Sequence, residues 1–275
     1  MGILSEFIQW LPEYFFPKVC YGCEKEGFYV CDDCRKMVER VLDEPRCPEC
    51  GKEATFGATH PVCRRQRGLD GLVSYYKYAG WAKEIVKEAK FGKHHRYAAM
   101  KEMAEEFAAE LVNRESLIAN RQTVVVPIPL HWWRKFKRGF NQAELMAEEL
   151  AREWKIPMVK MLTRRKYTEP QTLTEKEVML TKEQEDKLEE KYRSTLQRDY
   201  AGKKLLNQLK AKRRKENIRD AFEIDCHVAR LRRTPRNDVI LVDDVWTTGA
   251  TMRECCRVLK RAGVKKVWGI TLLRA

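Results

Sequence analysis

The sequence predicts an α/β fold in which a mostly parallel sheet with flanking helices follows a small N-terminal zinc-ribbon module. Three observations predict it. Cysteine and histidine residues stand in pairs with two-residue gaps between residues 20 and 63, and apolar runs at residues 123–128 and 239–243 each lead through a polar turn into a helical pattern. Strands that alternate with helices form parallel sheets, and their unbroken apolar runs indicate burial on both faces. The 275 residues suffice for one such domain and a small appendage.

The N-terminal segment, residues 3–12, is apolar but carries Glu6 and lacks a basic lead. It favours a short amphipathic helix packed on the protein over a signal peptide. No apolar stretch approaches the ~20 residues that cross a membrane, so we expect no transmembrane segment. Because most cysteines have metal-ligand spacing and no export signal accompanies them, the expected location is the reducing cytoplasm.

The zinc-ribbon module is predicted within residues 1–67. A two-residue gap lets both side chains of a pair reach one tetrahedral zinc ion, so four pairs imply two ions with closed, structural sites. Sequential pairing is the simplest arrangement, while a cross-braced arrangement or a single zinc ion stays open. The histidine is the weakest candidate, since it is also compatible with an ordinary surface position. The predicted ligands are Cys20, Cys23, Cys31, Cys34, Cys47, Cys50, His60 and Cys63.

Residues 68–275 are predicted to form the main domain. Alternation over residues 72–78 predicts a strand, and the apolar spacing of residues 81–91 and 97–113 predicts two amphipathic helices. A second strand, at residues 123–128, runs into a basic and aromatic loop that leads to a helix through Glu153. A last strand is predicted at residues 265–273.

Two neighbouring carboxylates, Asp243 and Asp244, follow the apolar run at residues 239–242. They are expected at the carboxyl end of a parallel strand, where open α/β sheets bind ligands. The Thr/Gly/Ala/Thr loop after them offers backbone N–H groups, hydroxyls and the start of a helix (residues 252–262), which together suit a phosphate. Adjacent acids repel each other unless something binds them, so a capping role alone is the weaker interpretation. The pattern predicts a sugar-phosphate site.

A net charge of +14 and a pI near 9.3 favour polyanionic partners, such as phosphates, pyrophosphate or nucleic acid, although a solvated basic surface accounts for the charge equally well. In the segment after the second strand, Arg134 and Arg138 can offer forked donors to pyrophosphate oxygens. Trp132 and Trp133 in the same segment suit either base stacking or packing.

The acidic pair and its loop resemble the binding signature of type I phosphoribosyltransferases. The paired cysteines, "VPIPLH" with "RGFNQAELMA", and "VDDVWTTGATM" occur in this order, and together they resemble the ComF family of competence-associated phosphoribosyltransferases. The resemblance implies a type I phosphoribosyltransferase-like sheet and a cytosolic protein linked to DNA uptake.

The resemblance also implies that the chain binds phosphoribosyl pyrophosphate with magnesium. Asp243 and Asp244 would hold the ribose hydroxyls, and Arg134 would assist the departure of pyrophosphate. The further substrate-binding residues implied are those of the 5-phosphate loop and of the pyrophosphate segment: Thr247, Thr248, Gly249, Ala250, Thr251, Leu130, His131, Arg138, Asn141 and Gln142.

A charged, helix-favouring insert at residues 176–212 separates the two halves of the region expected to cover the site, near Gln171 and Asn217. The acceptor base is not readable from the sequence. The alternative to an enzyme is a non-catalytic DNA-uptake or nucleic-acid-binding factor that uses the zinc module and the basic surface, with single-stranded DNA or competence proteins as partners.

Overall fold

The structure is a computed structural model that describes residues 18–89, 94–113, 123–165, 218, 220–225 and 238–275. The predicted N-terminal helix (residues 3–12), the charged insert (residues 176–212), Gln171 and Asn217 lie outside the described residues. Across the described ranges, no helix combines the length and the apolar character needed to cross a bilayer.

A four-stranded parallel sheet forms the centre of the fold, and a two-stranded antiparallel pair stands apart from it. The four strands predicted from the sequence are all present and make up the main sheet. The six described strands are β1 (Gly71–Lys77), β2 (Val124–Pro127), β3 (Leu162–Arg164), β4 (Phe222–Ile224), β5 (Val239–Trp246) and β6 (Val267–Arg274). The main sheet has the order β1-β6-β5-β2, and β3 pairs with β4.

Helices cover both faces of the main sheet. The described helices are α1 (Asp32–Lys36), α2 (Gly80–Ala89), α3 (His94–Asn113), α4 (Trp132–Arg138), α5 (Gln142–Trp154) and α6 (Ala250–Arg261), with short 3-10 helices at Thr55–Gly57 and Pro61–Cys63. The prediction of a mostly parallel sheet with flanking helices and a small N-terminal module is confirmed.

Two helices correct the sequence predictions. The segment predicted as a basic loop contains α4, because the His131 side chain caps its start and Gly139, at φ 81°, ends it in the left-handed region. Helix α6 begins at Ala250 rather than Met252, because Gly249 turns the chain into the helix with a φ of 69°. The end of the predicted loop is therefore already the first helical turn.

The core lies on both sides of β5. Ile240 and Val242 pack in the cluster that includes α3 and α5, while Leu241 packs with α6 on the opposite face. The approach of α6 to the sheet is close: a Cβ at Gly269 would lie 2.3 Å from the sulfur of Met252. Because β5 is buried on both faces, its register and its distance from α6 are strongly specified.

An ionic network fastens the N-terminal module to the sheet. Arg35 and Arg40 pair with Glu106 and Glu110 of α3. The buried Tyr75 hydroxyl donates to Glu106 at 2.8 Å and to Glu110 at 2.9 Å. Burial, followed by the charge of Glu106, raises the pKa of Tyr75, so this hydroxyl stays a donor. The module is thus part of the folded body and not a loosely tethered appendage.

Candidate functional site

The phosphate loop (residues 247–251) joins β5 to α6 and presents an uncapped helix N-terminus. Gly249 is the N-cap residue of α6, and no side chain caps its N–H groups. A Cβ at this glycine would lie 2.3 Å from the Trp246 ring, so only glycine fits. The hydroxyl oxygen of Thr248 is buried without a hydrogen-bond partner in the described part of the chain. Unpaired backbone and hydroxyl donors at a helix N-terminus are what a phosphate requires.

A small cleft opens beside this loop. It joins a carboxylate to the loop, since Asp243 lines it together with Thr247, Gly249, Thr251 and Thr271. Its remaining lining residues are Val245, Trp246, Ala250 and Met252.

The two acids differ in their positions on β5. Strand β5 continues two residues beyond them to Trp246, so Asp243 and Asp244 project to opposite faces of the sheet. Asp243 lies on the side of α6 and lines the cleft, whereas Asp244 does not line it. The backbone N–H of Asp244 donates to the Asp243 carboxylate at 3.0 Å. The acidic pair is therefore one cleft residue and one residue of the opposite face.

An arginine cluster lies within electrostatic range of Asp243. Burial, followed by the charge of Arg134, lowers the pKa of Arg164 to about 10; Cys255 and the Asp243 carboxylate act in the opposite direction, and Arg138 lowers it further. Arg164 belongs to β3 and lies over the Phe222 ring of β4, 5.2 Å from its centroid. The β3-β4 pair thus brings a partly buried cation within electrostatic range of Asp243 and of the arginines of α4.

Buried polar side chains hold the segment after β2 in its conformation through hydrogen bonds to the backbone. Asn141 donates to the Ile128 carbonyl at 3.1 Å and caps α5 by accepting from the Ala143 N–H. Gln142 donates to the Ala89 carbonyl at 3.0 Å. Both side chains are at most 3% exposed. This geometry favours a role of both side chains in fixing the shape of the segment.

His131 also belongs to this framework. Its ring is buried, and its Nδ1 accepts from the Trp133 N–H at 3.4 Å. Burial, followed by the charges of Arg164 and Arg134, lowers the pKa of His131, so the ring is neutral near pH 7. Leu130, beside it, is half-buried.

The metal-ligand residues converge into two tetrads with the sequential pairing. Cys20, Cys23, Cys31 and Cys34 form one, while Cys47, Cys50, His60 and Cys63 form the other, and the ligand atoms in each lie within 4.8 Å of one another. Such spacing fits one tetrahedral zinc ion in each tetrad. His60 takes part, since its Nδ1 is 3.4 Å from the Cys50 sulfur while its Nε2 bonds to the Glu53 carbonyl at 2.9 Å. That outer bond orients the ring for a metal.

Backbone N–H groups lower the pKa of one cysteine in each tetrad. Burial raises the pKa of Cys20, but the N–H groups of Cys31, Gly22 and Cys23 outweigh it and lower the pKa to about 6. The corresponding turn lowers the pKa of Cys47 to about 7, again against burial. Gly22 is needed in the first turn, because a Cβ there would lie 2.6 Å from the Cys34 sulfur. Zinc binds thiolates, so both turns favour the ligand form.

A magnesium site is less complete. Among the described residues, the sets of three or more potential metal ligands are the two zinc tetrads, and Asp243 is the acid that lines the cleft. Magnesium keeps several waters and is commonly held by one or two carboxylates together with phosphate oxygens of the substrate. The residues present therefore fit an ion that arrives with, and is held mainly by, a phosphorylated ligand.

Comparison with protein families agrees with both parts of this geometry. The model of the phosphoribosyl transferase domain matches residues 95–275. The chain belongs to the phosphoribosyl transferase domain family. The model of the double zinc ribbon domain matches residues 11–66, which contain both tetrads.

Full-length relatives carry names that link them to DNA. Competence protein F of Haemophilus influenzae is 25% identical over 270 residues, which cover 93% of this chain and 97% of the relative. The DNA utilization protein YhgH of Salmonella typhimurium is 26% identical, covering 91% and 94%. Competence protein ComFC of Bacillus subtilis is 27% identical, covering 90% and 84%. The predicted ComF-type phosphoribosyltransferase with an N-terminal double zinc ribbon is confirmed. The domain boundary at residue 67 stays a prediction.

One residue of the candidate site was missed by sequence reasoning. Arg164 lies in a three-residue strand whose partner, β4, is about sixty residues away in the chain (Arg164↔Phe222). The available signal was an arginine two residues after the apolar pair Met161 and Leu162, which are both buried. An arginine near such a pair indicates a charge inside the fold only when the three residues Leu162–Arg164 are recognised as a strand.

Zinc content tests the double zinc ribbon. The purified protein should contain two zinc ions per chain, one for each tetrad, because the module has little apolar core of its own and metal binding contributes to its folding. Elemental analysis after extensive dialysis measures this. A metal-free protein with an intact melting transition would refute the assignment.

The neutral His131 predicts a pH dependence of stability. Its pKa is lowered on folding, so the unfolded chain binds a proton that the folded chain does not, and stability rises with pH. This contribution is complete above about pH 6.5, the ordinary histidine value, and is lost as the pH falls toward the lowered pKa. His131→Asn keeps a good N-cap without a titrating ring. When the pH is lowered from about 7.5 to about 5.5, the urea concentration at the unfolding midpoint should fall less for the variant than for the wild type. An equal fall in both proteins would contradict the lowered pKa of His131.

Proposed function

We propose that the protein binds phosphoribosyl pyrophosphate with magnesium at the carboxyl edge of the sheet and transfers the phosphoribosyl group to a nitrogen nucleophile. One observation carries this proposal: the uncapped N-terminus of α6, the cleft carboxylate of Asp243 and the arginine cluster occur together at one edge. A sugar with a phosphate at one end and a pyrophosphate at the other needs donors at both ends and a hydroxyl acceptor between them.

Each group has a distinct proposed role. The phosphate loop holds the 5-phosphate, with the unpaired Thr248 hydroxyl as one donor. Asp243 holds the ribose hydroxyls from the cleft, and Asp244, on the opposite face of β5, has the smaller part in holding them. Arg134, Arg138 and Arg164 face the pyrophosphate, on a segment that His131, Asn141 and Gln142 keep in shape. The acceptor base remains to be identified.

The chemistry that these residues support is electrostatic. The bond from the anomeric carbon to a pyrophosphate oxygen breaks, pyrophosphate leaves with the electron pair, and the nitrogen nucleophile forms the new bond to carbon. Positive charge builds on the ring and negative charge on the leaving group, so fixed charges of both signs lower the barrier. Magnesium, when bound, supplies further charge on the pyrophosphate. Arg134 and Arg164 supply cations at the leaving group, while Asp243 supplies an anion near the ring.

Calorimetric titration with phosphoribosyl pyrophosphate and magnesium tests this function. The wild type should bind, and Asp243→Asn with Asp244→Asn should abolish binding. Of the single variants, Asp243→Asn should lose more affinity, because Asp243 lines the cleft and Asp244 lies on the other face. Loss of a charged hydrogen-bonding partner should weaken binding about tenfold or more.

The control is the melting curve of each ligand-free variant, which should stay close to that of the wild type. Full retention of binding in the double variant would mean that the acids are structural. Turnover is then screened with candidate bases, by release of pyrophosphate.

The names of the relatives support an association of the proposed activity with DNA. We propose a role in DNA uptake, with competence proteins or single-stranded DNA as partners and the cytoplasm as the location. The competence and DNA-utilization names belong to proteins that align with nine-tenths or more of this chain.

A second candidate function, binding of single-stranded nucleic acid, is favoured by helix α4. Trp132, Trp133 and Phe136 are 69%, 48% and 79% exposed, although aromatic rings of this size are usually buried. Trp133 and Phe136 stack with their ring centroids 6.1 Å apart. Exposed rings on a basic helix form a platform on which bases stack, while the cations attract the backbone.

Fluorescence anisotropy with a labelled oligothymidine tests this second function. Trp132→Ala with Phe136→Ala should weaken binding about tenfold or more, since stacking contributes ~1–3 kcal/mol per base, and binding should fall with salt. Phe28→Ala, which removes a 50% exposed ring in the zinc module, is the matched control and should bind normally. Unchanged affinity in the α4 variant would exclude this platform.

A further inference from the structure

Arg253 connects the phosphate loop to the second zinc tetrad. It lies in the first turns of α6, and one guanidinium nitrogen donates to the Thr248 carbonyl. Its other nitrogens donate to the carboxylate of Glu49 at 3.1 Å and to the carbonyl of Pro48 at 2.6 Å. Pro48 and Glu49 are the two residues between the zinc ligands Cys47 and Cys50. One side chain therefore bridges two parts of the chain that are about 200 residues apart.

At one end, Arg253 supports the shape of the phosphate loop. Its guanidinium lies over the Trp246 ring, 4.9 Å from the centroid. A Cβ at Gly249 would lie 2.7 Å from the Arg253 nitrogen, so the loop rests directly on this side chain. By donating to the Thr248 carbonyl, Arg253 fixes the orientation of the peptide group between Thr248 and Gly249.

At the other end, the acceptors of Arg253 depend on the metal-binding turn. Both cysteines of the turn from Cys47 to Cys50 are zinc ligands. Zinc binding therefore determines where the Pro48 carbonyl and the Glu49 side chain lie. The side chain of Glu49 is only 6% exposed and has Arg253 as its close partner, while its second contact, Arg65 at 3.4 Å, is 75% exposed. A buried carboxylate requires such a partner, which makes the bridge specific.

We propose that Arg253 is a positioning residue through which the second zinc site, and not the first, keeps the phosphate loop in its binding shape. The inference rests on the proposed function only in naming a sugar phosphate as the ligand. The first tetrad has a different anchor, since the Trp81 indole donates to the Cys34 carbonyl at 2.7 Å, on the side of α2. Because coupling is reciprocal, a phosphate ligand in the loop should also slow the loss of zinc from the second site.

Hydrogen exchange of the first hydrogen-bonded amides of α6, residues 253–256, tests the coupling without any ligand, since the Arg253 N–H donates to the Gly249 carbonyl of the loop. Arg253→Gln should retain both zinc ions and exchange these amides about tenfold faster, as expected when a charge-assisted hydrogen bond is lost. Arg65→Gln, which removes the exposed partner of the same carboxylate, is the matched control and should exchange like the wild type.

The two zinc sites are compared through Cys50→Ser and Cys23→Ser, which each remove an exposed ligand of a Cys-x-x-Cys turn. Cys50→Ser should accelerate exchange of the amides of residues 253–256, and Cys23→Ser should not. Equal exchange in Arg253→Gln and the wild type, or equal acceleration by both cysteine variants, would overturn the proposal.

Titration with phosphoribosyl pyrophosphate separates this proposal from the proposed function. If the wild type binds, Arg253→Gln and Cys50→Ser should bind about tenfold more weakly than Arg65→Gln and Cys23→Ser. A wild type that does not bind would refute the proposed function, whereas the exchange measurement would still decide whether the second zinc site supports the loop.

Discussion

The parallel pairing of β5 with both of its neighbours is the interaction on which the site depends. Val125 of β2 pairs with Ile240, and Leu241 pairs with Gly269 of β6. Because parallel strands point the same way, the segments that follow β2 and β5 leave the sheet at one edge, where the arginines of α4 and the phosphate loop then meet. A slip of one residue would turn Asp243 to the other face of the sheet. The buried run before the acids prevents such a slip.

Much of this was predictable from the sequence, for physical reasons. The four strands of the main sheet have apolar runs that need burial on both faces, and the two-residue gaps between cysteines indicate zinc with little ambiguity. The prediction of a loop at α4 was wrong because Trp132, Trp133 and Phe136 are exposed and give the helix no buried apolar stripe. Its end signal was present in Gly139. Arg164 and the Arg253–Glu49 pair were not predictable, since their partners are remote in sequence.

The charges at the site explain how an acid and several arginines coexist there. Arg164 is buried near two other arginines, an arrangement whose cost appears as its lowered pKa. Asp243 offsets part of that repulsion, so the carboxylate stabilises the cluster as well as facing the cleft. An anionic ligand would relieve the remaining repulsion, since the cations would then share a partner of opposite charge. A shifted pKa of this kind agrees with the proposed anionic ligand.

The zinc module contributes more than the stability of its own segment. Its first half is joined to α3 by partly buried ion pairs and to α2 through Trp81. Its second half reaches α6 through Glu49 and Arg253. Helix α6 thus has two fixed points, the sheet beneath it at Gly269 and the metal-binding turn beside its N-terminus. A helix held only by its apolar face can shift along its axis at small cost, whereas one also held at its end cannot. A phosphate site formed by backbone N–H groups needs the second restraint, because its donors are as well placed as the helix end that carries them.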